Sequence, residues 1–300
     1  MKKPFDVVIL TESRYLNPKE DTQYNSNVLL EDGLVIASLE EKGLTVTRKD
    51  WADSDFDWSS TRAILFRSTW DYFDQIELFK AWLKKVESQT KAINPISQIW
   101  WNMDKWYLRD LEKNGIPVVE TLYIRRGEQR SLTQIHQQSN WKDAILKPTV
   151  AGGGRHTYRI NSQNVADLES TFSALIKNED LMLQPFQNSI ERKGEISLVV
   201  IGGKFTHAIL KKAKHGDFRV QDDFGGSVHP YTASVDEIAF AEKVVAACEP
   251  TPTYARVDVM WNNGDELVVS EVELIEPELW FRENIKAAIL LADEVLKKVK

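Results

Sequence analysis

The chain has 300 residues, of which 42% are apolar and 28% charged, and its net charge is −7. This is the profile of a folded, soluble protein with room for about two domains; the acidic balance excludes the broad basic footprint of a nucleic-acid binder, and no apolar run nears the ~20 residues that span a bilayer. A single cysteine, Cys248, excludes an internal disulfide and points to a reducing, cytoplasmic setting, and the five histidines lack zinc-ligand spacing.

The opening MKKPFDVVIL holds only a short apolar run, too short for a signal peptide. FDVVILT (5–11) predicts a buried strand, and ESRYLNPKEDTQYN a polar loop. The spacing over SNVLLEDGLVIASLEEKGL predicts a helix stopped by Gly43. TVTRKDW and AILFRSTWDY read as strands, and QIELFKAWLKKVES as an amphipathic helix. This alternation predicts a small α/β domain over residues 1–100 with a mostly parallel sheet. Ligands of such sheets sit at the carboxyl ends of the strands. RSTWDY lies at such an end, which makes Arg67, Trp70, Asp71 and Tyr72 candidates for touching a small molecule.

WWNMDKWYLRDLEKNGIPVV predicts one helix, with Lys105 in its first turn and a stop at Asn114–Gly115 before Pro117. From about Thr121 the strands become hairpin-like: DAILKPTV, RHTYRI, DLMLQPF and EISLVVIGGKFTHAILKKA. Glycine clusters mark their turns, an α+β texture with antiparallel sheet. Lys147 precedes Gly152, Gly153 and Gly154. Glycines let backbone N–H groups approach an anion. The Walker Lys-Ser/Thr ending is absent, however, and these glycines open a strand rather than a helix. Alone they read better as a hairpin turn with no ligand. Lys211, Lys212, Lys214 and Arg219 then cluster ahead of Gly225–Gly226, either a solvated basic loop or a counter-charge for an anion. The last helix, NIKAAILLADEVLKKVK, ends in lysines, which suits its dipole.

YARVDVMWNNGDELVVSEVELIEPELW (254–280) predicts a hairpin with a two-residue turn at Asn263–Gly264. That register sets Asp258 opposite Val269 and Arg256 opposite Glu271. Alternation then puts Arg256, Asp258, Met260, Leu267, Val269, Glu271 and Glu273 on one face, with Val257, Val259, Trp261, Val268, Val272 and Leu274 on the other. Three carboxylates converging this way repel unless a cation compensates, and all-oxygen donors select Mg²⁺ or Mn²⁺. A solvated acidic face balanced by Arg256 is the alternative, and a β-bulge would flip the parity.

The order DKW, LKP…GGG, LQPF with GEISLVV, KK…GDFRVQ…FGG, RVD and SEVELIEP resembles the ATP-grasp superfamily over about residues 102–280. The likeness is to the glutathione-synthetase-like and ribosomal-modification-like ligases, including O-ureidoserine cyclo-ligase-like proteins. It implies an ATP-grasp fold, with an α/β domain (1–100) before an ATP-grasp domain (101–300). The latter divides into a glycine-flap lid (101–186) and a metal-binding catalytic part (187–300). Lys105 and Lys147 resemble the lysines that hold ATP phosphates, and Gly152–Gly154 the flap over them. Gln184 and Phe186 resemble the adenine-side linker, and Glu195 the acid that binds ribose. Lys211 and Arg219 resemble the catalytic cations facing the transferred phosphoryl group. Asp258, Glu271 and Glu273 resemble the Mg²⁺ ligands. Arg67, Asp71 and the DDFGG loop with Gly226 are the candidate substrate contacts. Two positions depart from the pattern: Glu273 stands where many relatives have asparagine, and Ser197 where the glutathione synthetase branch has a basic residue. The implied activity is ATP-dependent carboxylate–amine ligation through an acylphosphate, on a small amino acid or peptide. Ring closure, kinase-like transfer and a non-catalytic nucleotide binder are the alternatives. The implied partners are small carboxylate and amine substrates, with a homodimer or homotetramer as the assembly.

Overall fold

The computed structural model describes residues 3–214, 216–220 and 225–300. His215, Asp222, Asp223 and Phe224 lie outside the described residues, and with them most of the DDFGG loop. Three sheets organise the chain.

β1 (Phe5–Thr11) leads through the short α1 (Ser13–Leu16) to α2 (Gln23–Glu41), which Thr22 caps by accepting from the Asn25 amide. β2 (Val46–Asp50), β3 (Thr61–Ser68), α3 (Ile76–Val86) and β4 (Lys91–Ile93) complete a parallel sheet in the order β2-β1-β3-β4. Alternation along β1 supplies both of its faces. Val7 and Ile9 pack with Val35 and Leu39 of α2, while Val8 and Leu10 pack with Trp51, Trp58, Phe79 and Trp82.

The single helix expected over Trp100–Lys113 is two, α4 (Ile96–Asn102) and α5 (Tyr107–Lys113), and Lys105 sits in the turn between them. The backbone there bonds elsewhere: the Lys105 amide donates to the Thr149 carbonyl at 2.9 Å. Asp104 accepts from the Trp106 amide at 3.2 Å, the local side-chain bond that competes with a continuous helix.

Next come β5 (Leu122–Ile124), α6 (Leu132–Ser139), β6 (Asp143–Pro148), β7 (Tyr158–Asn161), α7 (Glu169–Leu175) and β8 (Leu181–Pro185). Their strands form an antiparallel sheet, β5-β8-β6-β7. The third sheet follows α8 (Ser189–Arg192). It comprises β9 (Glu195–Ile201), β10 (Lys204–Lys212), β11 (Ser227–Tyr231), β12 (Tyr254–Trp261) and β13 (Leu267–Glu273), with α9 (Val235–Ala246) between β11 and β12. Its order is β11-β10-β9-β12-β13. Gly202 and Gly203, at φ 58° and 78°, make the tight turn between β9 and β10 that only such residues adopt without strain. α5 packs on this sheet through Tyr107, Leu108 and Leu111 against Ile196, Leu198 and Val257. α10 (Ile285–Val299) returns to the N-terminal sheet, where Leu291 and Val295 join Val35 and Leu39. Among the described residues no helix is long and apolar enough to cross a membrane.

Cys248 is packing. It is fully buried among Val244, Val245 and Ala241, and burial pushes its thiol up to about 12. Native protein at pH 8 is therefore expected to resist iodoacetamide and to be labelled once unfolded in guanidinium. Rapid labelling of native protein, followed by mass spectrometry, would contradict this packing.

Candidate active site

The hairpin that carries the acids closes differently from the expected two-residue turn. The Asn262 amide donates to the Glu266 carbonyl at 2.8 Å, which leaves Asn263–Asp265 as the loop. Asp265 takes the left-handed conformation (φ 64°), and the Asn262 side chain accepts from the Gly264 and Glu266 amides. Trp261 thus pairs with Leu267, a slip of one residue that reverses the faces. A bulge between Asp258 and Val259 reverses them again. Asp258 pairs with Glu271, and Arg256 with Glu273. The expected convergence of Asp258, Glu271 and Glu273 survives by this double reversal. Val269 does not stay on the acid face: it joins the core beside Val257 and Val259. Ser270 turns to the cleft in its place and donates to Glu195 at 2.6 Å.

One cavity of about 490 Å³ runs between the three sheets. Lys105, Lys147, Gly152, Gly153, Gly154, Gln184, Phe186, Glu195, Lys211, Arg219, Asp258, Glu271 and Glu273 all line it. Part of its lining is an apolar sleeve at the junction of the two antiparallel sheets: Phe186, Ile190 and Val220, with Ile145, Phe218 and Met260 against them. The Gln184 side chain leaves the sleeve to donate to Thr121 Oγ1 at 2.8 Å.

Elsewhere the lining is a ladder of alternating charges. Lys211 Nζ lies 2.7 Å from Glu195 and 3.0 Å from Asp258. Asp258 also accepts from Ser197 Oγ at 2.6 Å and from Arg256 Nε at 2.9 Å. Arg256 continues to Glu273. Lys105 Nζ lies 2.9 Å from Glu271 and donates to the Ala151 carbonyl at 2.5 Å, joining the glycine loop to the acids. Burial alone would raise the Asp258 carboxyl, but Arg256, Lys211 and Ser197 hold it well below the usual carboxylate range. Glu271 is likewise raised by burial but lowered overall by Lys105 and Lys147. Glu273 goes the other way: burial, reinforced by Glu271 and Asp258 against the pull of Arg256, raises it to about 7. Burial, then Glu273 and Glu271, push Glu276 well above its ordinary value. Burial lowers Lys147, and neighbouring Lys105 adds to that. This stretch of cleft is short of positive charge at its acidic end.

The oxygen-only donor set of Asp258, Glu271 and Glu273 has the chemistry of a hard divalent-cation site. Each of the three is held by a lysine or arginine, however, and among the described residues no three acids or histidines stand close enough to share one ion. A metal would take up these carboxylates by exchanging those partners.

The glycine loop is braced from the N-terminal sheet. A Cβ on Gly152 would come within 2.6 Å of the Phe73 ring. Arg155 pairs with Asp74 at 3.2 Å and with Glu179 at 2.8 Å. Gly153 and Gly154 both have positive φ, 55° and 72°. Gly194 is tightly constrained: φ is 80°, and a Cβ there would lie 2.4 Å from the Lys211 carbonyl. That close approach sets the register of Glu195 against Lys211.

Arg67, Asp71, Tyr72 and Gly226 are not brought in. Arg67 is 3% exposed, donates to the Pro277 carbonyl at 3.2 Å, and faces Asp32 and Glu31 at 3.6 and 3.9 Å. It joins the N-terminal sheet to the segment after β13 instead of lining the cleft. Asp71 accepts from Trp51 Nε1 at 2.7 Å and Gln75 Nε2 at 2.8 Å, and so closes the end of β3. Gly226 is not part of the lining either. Trp70 does line the cleft, while Tyr72 is buried in the core. Sequence reading missed Arg14, Tyr15, Tyr24, Glu276, Glu278 and Trp280, all in the lining. The first three come from a polar stretch without periodicity, and the others lie past the last strand, where alternation gives no guide.

Residues 103–292 match the RimK-like ATP-grasp domain, and residues 7–94 match the N-terminal domain of D-cycloserine synthetase DcsG. The cycloserine biosynthesis protein DcsG of Streptomyces lavendulae is 27% identical over 277 residues, covering 86% of this chain and 90% of that protein. The tetrahydromethanopterin:alpha-L-glutamate ligase of Methanosarcina acetivorans is 26% identical over 160 residues, 50% of this chain and 47% of that one. The crystal structure of D-cycloserine synthetase DcsG superposes with a TM-score of 0.86 at 24% identity, over 98% of this chain and 99% of that chain.

Proposed function

The chain belongs to the RimK-like ATP-grasp family and is an ATP-dependent carboxylate–amine ligase, and from that premise we propose how its cleft divides the work. The observation that carries the proposal is the pairing of an apolar sleeve with a charge ladder in one cavity. The sleeve formed by Ile145, Phe186, Ile190, Phe218, Val220 and Met260 takes adenine. Gln184 contributes through its backbone, because its side chain is committed to Thr121. Glu195 faces the ribose, and Lys105, Lys147 and the amides of Gly152–Gly154 receive the phosphates. Asp258, Glu271 and Glu273 are the residues that would hold Mg²⁺ or Mn²⁺, which would neutralise phosphate charge during transfer.

A substrate carboxylate oxygen attacks the γ-phosphorus and ADP leaves, giving an acylphosphate. An amine nitrogen then attacks the acyl carbon, phosphate leaves with the bonding pair, and the amine proton passes to solvent. Lys211 and Arg219 stabilise the charge that develops on the transferring group. The glycine loop, braced by Phe73 and Arg155, excludes water from the acylphosphate. Similarity to D-cycloserine synthetase over nearly the whole chain favours a second reading of the same chemistry, in which acid and amine belong to one molecule.

The test is phosphate release from ATP by purified protein with Mg²⁺ across a panel of amino acids and dipeptides. Release only when acid and amine are both present supports ligation, and loss of one water from a single substrate supports ring closure. Absence of ATP binding by calorimetry would refute both. Gly153→Val has space for its side chain but forces a β-branched residue to positive φ. It is expected to raise KM for ATP by roughly tenfold, the equivalent of the left-handed backbone cost, with little change in melting temperature. Loss of the fold instead would make the loop structural.

A further inference from the structure

Lys105 lies in the turn between α4 and α5, and the bonds around it reach two different sheets. The flanks of the turn are tied to β13 and the residue after it. The Asn102 side chain donates to the Val272 carbonyl at 2.7 Å and accepts from the Leu274 amide at 2.8 Å. The Tyr107 hydroxyl accepts from the Val272 amide at 2.8 Å. The middle of the turn is tied to the β5-β8-β6-β7 sheet. The Lys105 amide donates to Thr149, just past β6, whose own amide donates to the Asp180 carbonyl at 3.0 Å. The Tyr123 hydroxyl, from β5, donates to the Lys105 carbonyl at 3.2 Å. One sheet thus holds the Lys105 backbone at both its amide and its carbonyl, while the ammonium lies 2.9 Å from Glu271 of the other.

Trp106 locks this arrangement. Its ring stacks on Tyr123 with centroids 4.2 Å apart and planes 21° from parallel. Its Nε1 donates to the Asp180 carboxylate at 3.0 Å. The Arg125 guanidinium lies 3.8 Å from the centroid of the Trp106 ring and pairs with the same carboxylate at 2.9 Å. Asp180 also accepts from the Arg126 amide at 2.8 Å. Burial alone would raise the Asp180 carboxyl, but the Arg126 amide, Arg125 and Trp106 hold it below its ordinary value. Stacked rings with a cation against them attract beyond the area they bury. Trp106, Tyr123 and Asp180 are not in the lining of the cleft, so they reach a ligand only through their neighbours.

We propose that Trp106, Tyr123 and Asp180 form a clamp that positions Lys105 for the phosphates of the nucleotide. The inference rests on the reading that Lys105 receives phosphates, and it adds what holds the lysine in place. A lysine ammonium rides on a flexible four-carbon stem, so its charge is placed only as well as the backbone it leaves. Without the clamp the turn is tied to β13 at its flanks alone, and the ammonium loses its fixed position between the glycine loop and Glu271. Trp106, Tyr123 and Asp180 are positioning residues, and their whole effect on the nucleotide passes through Lys105.

The experiment is a double-mutant cycle on full-length protein, with ADP affinity in the presence of Mg²⁺ measured by calorimetry. Lys105→Met is expected to weaken ADP by roughly tenfold to a hundredfold, as for a lost hydrogen bond to a charged group. Trp106→Leu should weaken it by roughly fivefold to tenfold, the scale of a lost aromatic pair. In the double variant Trp106→Leu should add less than about twofold to the loss from Lys105→Met, because its route to the ligand is already gone. Trp106→Phe keeps a ring on Tyr123 and should stay within about threefold of wild type. Losses that multiply in the double variant overturn the inference, since they show Trp106 acting independently of Lys105. Unchanged affinity in either single variant, or equal losses in the leucine and phenylalanine variants, also overturns it. If Trp106→Leu does not fold, Tyr123→Phe, which removes the bond to the Lys105 carbonyl, enters the same cycle with an expected loss of about threefold. Its effect must likewise vanish beside Lys105→Met. Failure of wild-type protein to bind ADP is a different result: it sinks the ligase reading, and this inference with it.

Discussion

Glu271→Gln is expected to lower kcat by about two to three orders of magnitude, the range for removing one preorganised electrostatic contact from a transition state. Glu271 sits where the three parts of the proposed nucleotide site meet. Its carboxylate holds Lys105 at 2.9 Å, and Lys105 in turn holds the Ala151 carbonyl at the base of the glycine loop. Lys147 contributes to keeping it ionised. The amide of glutamine preserves shape and one oxygen but removes the charge. It therefore weakens the divalent cation and frees Lys105 together. The side chain is 28% exposed, so the stability cost is small beside the catalytic one. The measurement is steady-state ADP release against Mg²⁺ concentration, with melting temperature as control. Raised Mg²⁺ demand with a native melting curve fits the role. Full activity at low Mg²⁺ would remove Glu271 from the site.

Much of the lining of this cleft was legible in the sequence. Period-two alternation predicted which side of β12 and β13 would carry acid, because one face had to be Val257, Val259 and Val272. The register itself was not legible. Whether a turn uses two residues or three depends on which residue adopts positive φ, and Asn263-Gly264-Asp265 offers several. The bulge at Ser270 is fixed by its bonds to Glu195 and to the Asp258 carbonyl, which no local sequence encodes. The break between α4 and α5 has the same origin, since the amide of Lys105 bonds across to Thr149. Arg67 shows the opposite failure. A strand-end arginine is a reasonable ligand contact, but here α2 presents Glu31 and Asp32 to it. Local patterns predicted faces; the pairing of charges required the fold.

Lys211→Met carries the largest expected cost in stability, about 3–5 kcal/mol, the range for breaking a buried ion pair by removing one partner. Lys211 is 7% exposed and lies between two carboxylates from different strands, Glu195 of β9 and Asp258 of β12. Burial alone would drive its proton off, yet Asp258 and Glu195 raise it above an ordinary lysine. Methionine keeps the volume and loses the charge, so two acids face each other, and of the two Arg256 pairs with Asp258. In a chain of this size the loss corresponds to a fall in melting temperature on the order of 10 °C. Glu195→Gln in the same chain should recover part of that fall, because it removes one of the two stranded charges. The double variant should remain inactive, since the cation proposed to face the transferring phosphoryl group is still missing. Calorimetric melting of wild type, single and double variants decides the matter. A single variant that melts within about 2 °C of wild type, or a double variant less stable than the single, would mean that Lys211 does not neutralise this pair.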